Sequence, residues 1–201
     1  MSDEKLQRVL DLIDEANAQD PNADTDQDGN SFPKEWLYGR RMTDMLTRFS
    51  PAADAVQQIA CRAQHIERWK SPRSDYPMDK KGYHLWRTRL YSFHADTVAG
   101  LMESAGYDAE SIERVKQAVG KKALKKNPDT QMLENIAAMT FIEHYMHDFA
   151  GQHPEYSEDK WITIIQKTWK KMDESAHAFV LGGNVKLPEP LVPLIQKALA
   201  A

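Results

Sequence analysis

The sequence predicts an all-α protein, a single-domain helical bundle over residues 1–201. Three observations carry this reading. Apolar residues recur at helical spacing through long windows, glycine is scarce at 9 residues, and no segment of two-residue alternation interrupts the pattern. A length of 201 residues with 41% hydrophobic content buries a core without staples.

The elements follow in order. Leu6, Leu10, Ile13 and Ala16 form the stripe of a first helix. An acidic, turn-rich loop spans 18–33 (AQDPNADTDQDGNSFP). Met42, Met45 and Leu46 begin a second stripe, and Val56, Ile59, Ala60, Ala63 and Ile66 make a third. Ser50-Pro51 is the expected cap and first turn of that third helix. A proline-containing loop covers 70–81. Further helices are expected from Gly82 to Ser104, stopping at Gly106, and from Ala109 to about Leu124. Others run from Pro128 to about Ala150 and from Ser157 to about Leu181. Residues 184–201 form a tail with a short helix after Pro190.

Composition narrows the function classes. With 26 basic and 30 acidic residues, the net charge is −4 and the pI about 6.0, against a nucleic-acid coat or a polybasic membrane binder. One cysteine, Cys61, excludes a disulfide framework. No apolar run reaches the ~18 residues of a membrane span. The acidic, amphipathic start is unlike a signal peptide, so a cytoplasmic protein is expected.

The arginines are concentrated. Eight of the ten lie between residues 40 and 89, interleaved with His65, Trp69, Tyr76, Tyr83, Trp86 and His94. A guanidinium is a rigid fork that matches carboxylate and phosphate oxygens, so this third of the chain is expected to bind a small anionic molecule. Tyr83, Arg87, Leu90 and His94 fall on one helical stripe, and Arg68 follows His65 by three residues. Gln131 and Glu134 share a face of a later helix, and Lys122 is the member of a lysine cluster expected at the pocket. Three helices would point His65, His94 and Glu134 inward as acid–base groups or as ligands of a divalent metal. Arg68, Arg73 and Arg87 would clamp the anion. Separately, Asp24, Asp26, Asp28, Asn30 and Glu35 match a calcium-loop pattern around Gly29, although Ser31 and Pro33 depart from it. Cys61 lies in an apolar stripe, and no nucleophile elbow or glycine-rich phosphate loop is present.

Several blocks carry a resemblance: LYGRRM (37–42), CRAQHIERW (61–69), PRSDYPMDKKGYHLWR (72–87), FHAD (93–96), QMLENIAAMTFIEHY (131–145) and KTWKKM (167–172). Together they resemble the domain-of-unknown-function family number 4202, whose members are sometimes labelled glutamyl-tRNA synthetase-like. That label has no support in the residues, since the chain has no Rossmann pattern and no HIGH-type motif. The block at 131–145 resembles Q-x-L-E-D-x-A, with Asn135 at the aspartate position. A second resemblance is to the helical HD-type phosphohydrolases. It implies an HD-domain-like bundle in which Gln64-His65 replaces the HD pair and Glu134-Asn135 lies near the final aspartate. Arg41, Arg68 and Lys122 then supply positive field where a metal stood. On this resemblance the expected function is hydrolysis of a nucleotide or other phosphate-containing small molecule. The alternative is non-catalytic binding of an anionic ligand in the same cavity.

Overall fold

The structure is a computed structural model that describes residues 2–200. It is all-α, as the sequence predicts, and apart from one hairpin of two short strands the described residues contain only helices and turns. The contacts group the chain into two compact units. The first ends at Leu133 and the second begins at Glu134.

The first unit opens with α1 (Ser2–Asn17), then the strands β1 (Ala23–Thr25) and β2 (Ser31–Pro33). These pair antiparallel in the register Ala23–Pro33, Asp24–Phe32 and Thr25–Ser31, so the acidic loop is a small hairpin rather than irregular chain. Gly29 turns it at φ +85°, a backbone shape open to glycine. Next come α2 (Lys34–Phe49) and α3 (Ala55–Arg62). The cap of α3 is Asp54, not Ser50-Pro51. Its carboxylate accepts from Gln57 N at 2.9 Å while the Gln57 side chain reaches back to the Asp54 N–H. A shared cap of this kind is worth about 1 kcal/mol.

Helix α4 (Lys80–Ser104) is capped by Asp79, whose carboxylate accepts from Gly82 N at 2.7 Å. It ends where Gly106 takes φ +77° and Tyr107 N reaches back to Met102 O at 3.0 Å. Helix α5 (Ala109–Val119) stops five residues before the expected Leu124. Lys121 turns left-handed there at φ +57°, and Lys122 N closes the end on Gln117 O at 2.9 Å. Helix α3 packs on α1, α2 and α5, and α4 packs on α1 and α5. Their shared core is Val9, Ile13, Met42, Met45, Leu46, Ile59, Val98, Met102 and Val115, each at most 1% exposed. Burying a side chain of this size contributes about 1.5–3 kcal/mol.

Helix α6 (Pro128–His144) carries the boundary between the units. In the second unit the two long expected helices each divide. The first breaks at Tyr145, giving α7 (Met146–Gln152), and the second becomes α8 (Glu158–Lys171) and α9 (Glu174–Leu181). Helix α10 (Val192–Ala200) packs on α8. The α8–α9 break has a visible cause. Asp173 caps α9 by accepting from Ala176 N at 3.1 Å. Asn135 holds that cap: its Oδ1 accepts from Asp173 N at 3.1 Å and its Nδ2 donates to Asp173 Oδ2 at 2.9 Å. The Asn135 amide therefore acts as donor and acceptor at once, which an ionised aspartate there could not do.

Two outcomes are expected. A Cβ at Gly82 would meet Pro77 O at 2.0 Å, so Gly82→Ala displaces the turn ahead of α4 and costs about 1–3 kcal/mol in urea unfolding. Asn135→Asp sets two carboxylates face to face. It is expected to destabilise by about 1–3 kcal/mol at pH 7, with the loss shrinking as pH falls into the carboxylate range.

Candidate functional site

The site is built where α3 stops. After Arg62 the chain leaves helix, and Glu67 takes a left-handed φ of +53°. The buried Asn17 holds that turn, its Oδ1 accepting from Glu67 N at 2.9 Å. This irregular segment presents Gln64, His65 and Arg68 to α4, whose residues Arg87, Leu90, Tyr91 and His94 complete the lining of one cavity. Its volume is about 30 Å³ and it is not enclosed, so it takes about two oxygens of a larger group that reaches in from outside.

Hydrogen bonds fix the state of both imidazoles. Arg68 Nη1 lies 2.8 Å from His65 Nε2; a guanidinium only donates, so Nε2 is unprotonated and the ring proton sits on Nδ1. That nitrogen lies 3.3 Å from Oε2 of Glu35, a buried residue in the first turn of α2. Tyr38, one turn along α2, stacks on the His65 ring with centroids 4.1 Å apart. His94 Nδ1 donates to Ile66 O at 2.7 Å, which leaves Nε2 as an acceptor. Nε2 of His94 and Oε1 of Gln64 are both buried and without a hydrogen-bond partner.

The electrostatics are one-sided. Burial pushes Glu35 up to about 7, against the pull of Arg68. Burial holds His65 well below its ordinary value, and Arg68, Lys121 and Arg87 lower it further. Burial, with a contribution from His65, brings His94 down to about 3. The cavity thus joins two guanidinium groups to two neutral imidazoles. Arg68 also lies over the Trp86 ring at 5.1 Å, and Arg87 donates to Tyr91 Oη through Nε at 3.1 Å and Nη2 at 2.6 Å. Burial pushes the Cys61 thiol up to about 12, which removes it as a nucleophile.

Of the residues singled out from sequence, Gln64, His65, Arg68, Arg87 and His94 come together. The other proposed acid–base, anion-binding and calcium residues, Glu35 excepted, lie elsewhere. Arg41 holds the hairpin through Asp24 Oδ2 at 2.9 Å and Thr25 O at 2.8 Å. Arg73 donates to Tyr76 O and Asp79 O and holds the 70–79 loop. Tyr83 is exposed, with the Arg87 guanidinium 6.0 Å from its ring centre. Lys122 is exposed and Gln131 half-buried, neither lining the cavity. Glu134 belongs to the second unit, where its carboxylate lies 3.8 Å from Lys171 Nζ. In the acidic hairpin, Asp26 Oδ1 accepts from Asp28 N and Asn30 N, Asp24 is paired with Arg41, and Glu35 faces His65. Among the described residues, no three His, Cys, Asp or Glu side chains converge as metal ligands.

Four groups at the site, Glu35, Tyr38, Tyr91 and Lys121, were not assigned to it from sequence. Glu35 entered only as a calcium ligand, yet Glu35, Tyr38, Met42 and Met45 follow helical spacing, so an acid sits on the apolar face of α2. Tyr91 adjoins Leu90 on the stripe already read. Lys121, rather than Lys122, carries the charge felt by His65 and Cys61, and it stands at the left-handed turn that follows α5.

His94 has a signature in stability. Its folded pKa lies below its ordinary value, so the unfolded chain takes up a proton first as pH falls. Stability is expected to decline from pH about 6.5 toward about 3, and this acid limb is shallower in His94→Gln when unfolding is followed across pH.

Comparison with known proteins gives one finding. No curated protein and no solved structure matches the chain. Residues 7–195 match the family model described as Domain of unknown function (DUF4202), so the protein whose arginines and histidines build this cavity belongs to that family.

Proposed function

We propose that the cavity binds a phosphate-bearing small molecule and that the chain hydrolyses it, with His65 taking the proton and Glu35 stabilising its charged form. One observation carries the reading: Arg68 and Arg87 share a small cavity with two imidazoles held neutral, beside a carboxyl that titrates near neutrality. Guanidinium groups in a site shielded from water hold phosphate oxygens and stabilise charge that develops on them.

The resting hydrogen bond from Arg68 to His65 Nε2 gives the order of events. An arriving phosphate takes the guanidinium, and the freed Nε2 accepts a proton from a water molecule. The His65 Nδ1 proton stays on the ring, directed at the Glu35 carboxylate, which stabilises the imidazolium. The water oxygen bonds to phosphorus, the P–O ester bond breaks, and the leaving oxygen takes a proton from solvent. A buried carboxylate behind an imidazole orients the ring and stabilises its charged form.

The same hydrogen bond favours a second reading, a non-catalytic binder of an anionic ligand, in which Arg68 never releases His65. The two separate in one pair of measurements. Inorganic phosphate is expected to raise the thermal unfolding midpoint, and Arg68→Ala to abolish the shift. The monoester para-nitrophenyl phosphate is expected to turn over, and Glu35→Gln to lower kcat about 10²-fold or more with binding retained. Binding without turnover leaves the binder. No response to phosphate or monoester overturns both.

A further inference from the structure

The cavity has a feature that a site for a bare anion lacks. Beside its guanidinium donors stand two acceptors, Gln64 Oε1 and His94 Nε2, both buried and both without a partner. Gln64 is 8% exposed and His94 3%. An acceptor shut away from water is stable only when something donates to it. The His94 acceptor is no accident of rotamer: Ile66 O takes the Nδ1–H at 2.7 Å, so the lone pair must stand on Nε2.

We infer that the cavity selects a phosphoryl group that still carries a proton, its P–O–H donating to Gln64 Oε1 or His94 Nε2 while its charged oxygens accept from Arg68 and Arg87. This deepens the anion reading above and rests on it. Free phosphate holds such a proton through neutral pH, and a phosphate monoester, whose second pKa is about 6, holds one in its monoanion. Sulfate and phosphate diesters are similar in shape and charge and hold none, so they leave both acceptors unpaired and bring an oxygen lone pair against each. A site that expects a hydrogen-bond donor rejects the analogue lacking it strongly. The burial that keeps His94 unprotonated supports the assignment, since a charged imidazole would donate and welcome sulfate.

The test is calorimetric titration of the full chain at pH 6, where phosphate and its monoester both keep a proton, with four probes: inorganic phosphate, methyl phosphate, sulfate and dimethyl phosphate. Inorganic phosphate is expected to bind on the order of 10²-fold tighter than sulfate, and either monoanionic source tighter than dimethyl phosphate. Methyl phosphate binding alongside phosphate assigns an ester ligand; its exclusion assigns the free ion. Gln64→Met removes one acceptor and is expected to shrink the phosphate–sulfate ratio about tenfold. Gln64→Glu keeps an acceptor of the same size and is expected to keep the preference, so a Met variant that fails to fold leaves a readable partner. Sulfate binding within about threefold of phosphate overturns the inference and leaves the anion reading standing. Binding of none of the four removes the anion reading, and the inference with it.

Discussion

Arg68 donates to His65 Nε2 at 2.8 Å, and much of the site's chemistry follows from that hydrogen bond. It sets the tautomer of His65 and turns the Nδ1 proton toward Glu35. It also adds positive charge beside a ring that burial already disfavours charging. A neutral imidazole then faces a carboxyl whose own burial resists ionisation, with Arg87 across the cavity and the charge of Lys121 within reach. In so small a space, no side chain can change its protonation without altering the field on the others.

The cavity depends on a helix that ends early. Had α3 continued, His65 and Arg68 would have shared its surface one turn apart, as the sequence spacing alone implies. Instead the chain unwinds after Arg62, and the Asn17 amide oxygen stabilises the left-handed residue Glu67. The unwound stretch brings Gln64, His65 and Arg68 onto a common wall against α4. Trp86 braces the opposite margin by donating to Ser71 O at 2.9 Å while its ring lies under Arg68.

Most of the helices and part of the site were legible in the sequence. Apolar spacing located α1 and α4, because burial of one face is what such helices are for, and Pro190 marked the approach to α10. The α4 stripe placed Arg87, Leu90 and His94 correctly on one side, and the clustering of arginines pointed to the right third of the chain. What spacing did not reveal lies at breaks. Tyr145 and Asp173 interrupt stretches whose apolar pattern runs straight on, and the second break depends on Asn135, distant in sequence. The arginines were not separable by type of contact: Arg41 and Arg73 bind backbone carbonyls of nearby loops, a use that composition cannot tell from a ligand clamp. Glu35 was hidden for a different reason. Its position satisfied an acidic-loop pattern, and only the fold turns its carboxylate inward.

The carbonyl that orients His94 belongs to the main chain, and the early end of α3 leaves it free of helical partners. Every amino acid carries that oxygen. Replacement of the side chain at position 66 therefore leaves the tautomer-setting contact chemically intact, provided the bend survives. Evolution can vary the hydrophobic packing beneath the imidazole while its proton inventory stays constant, so divergence at that residue across relatives need not signal divergence in what the cavity recognises.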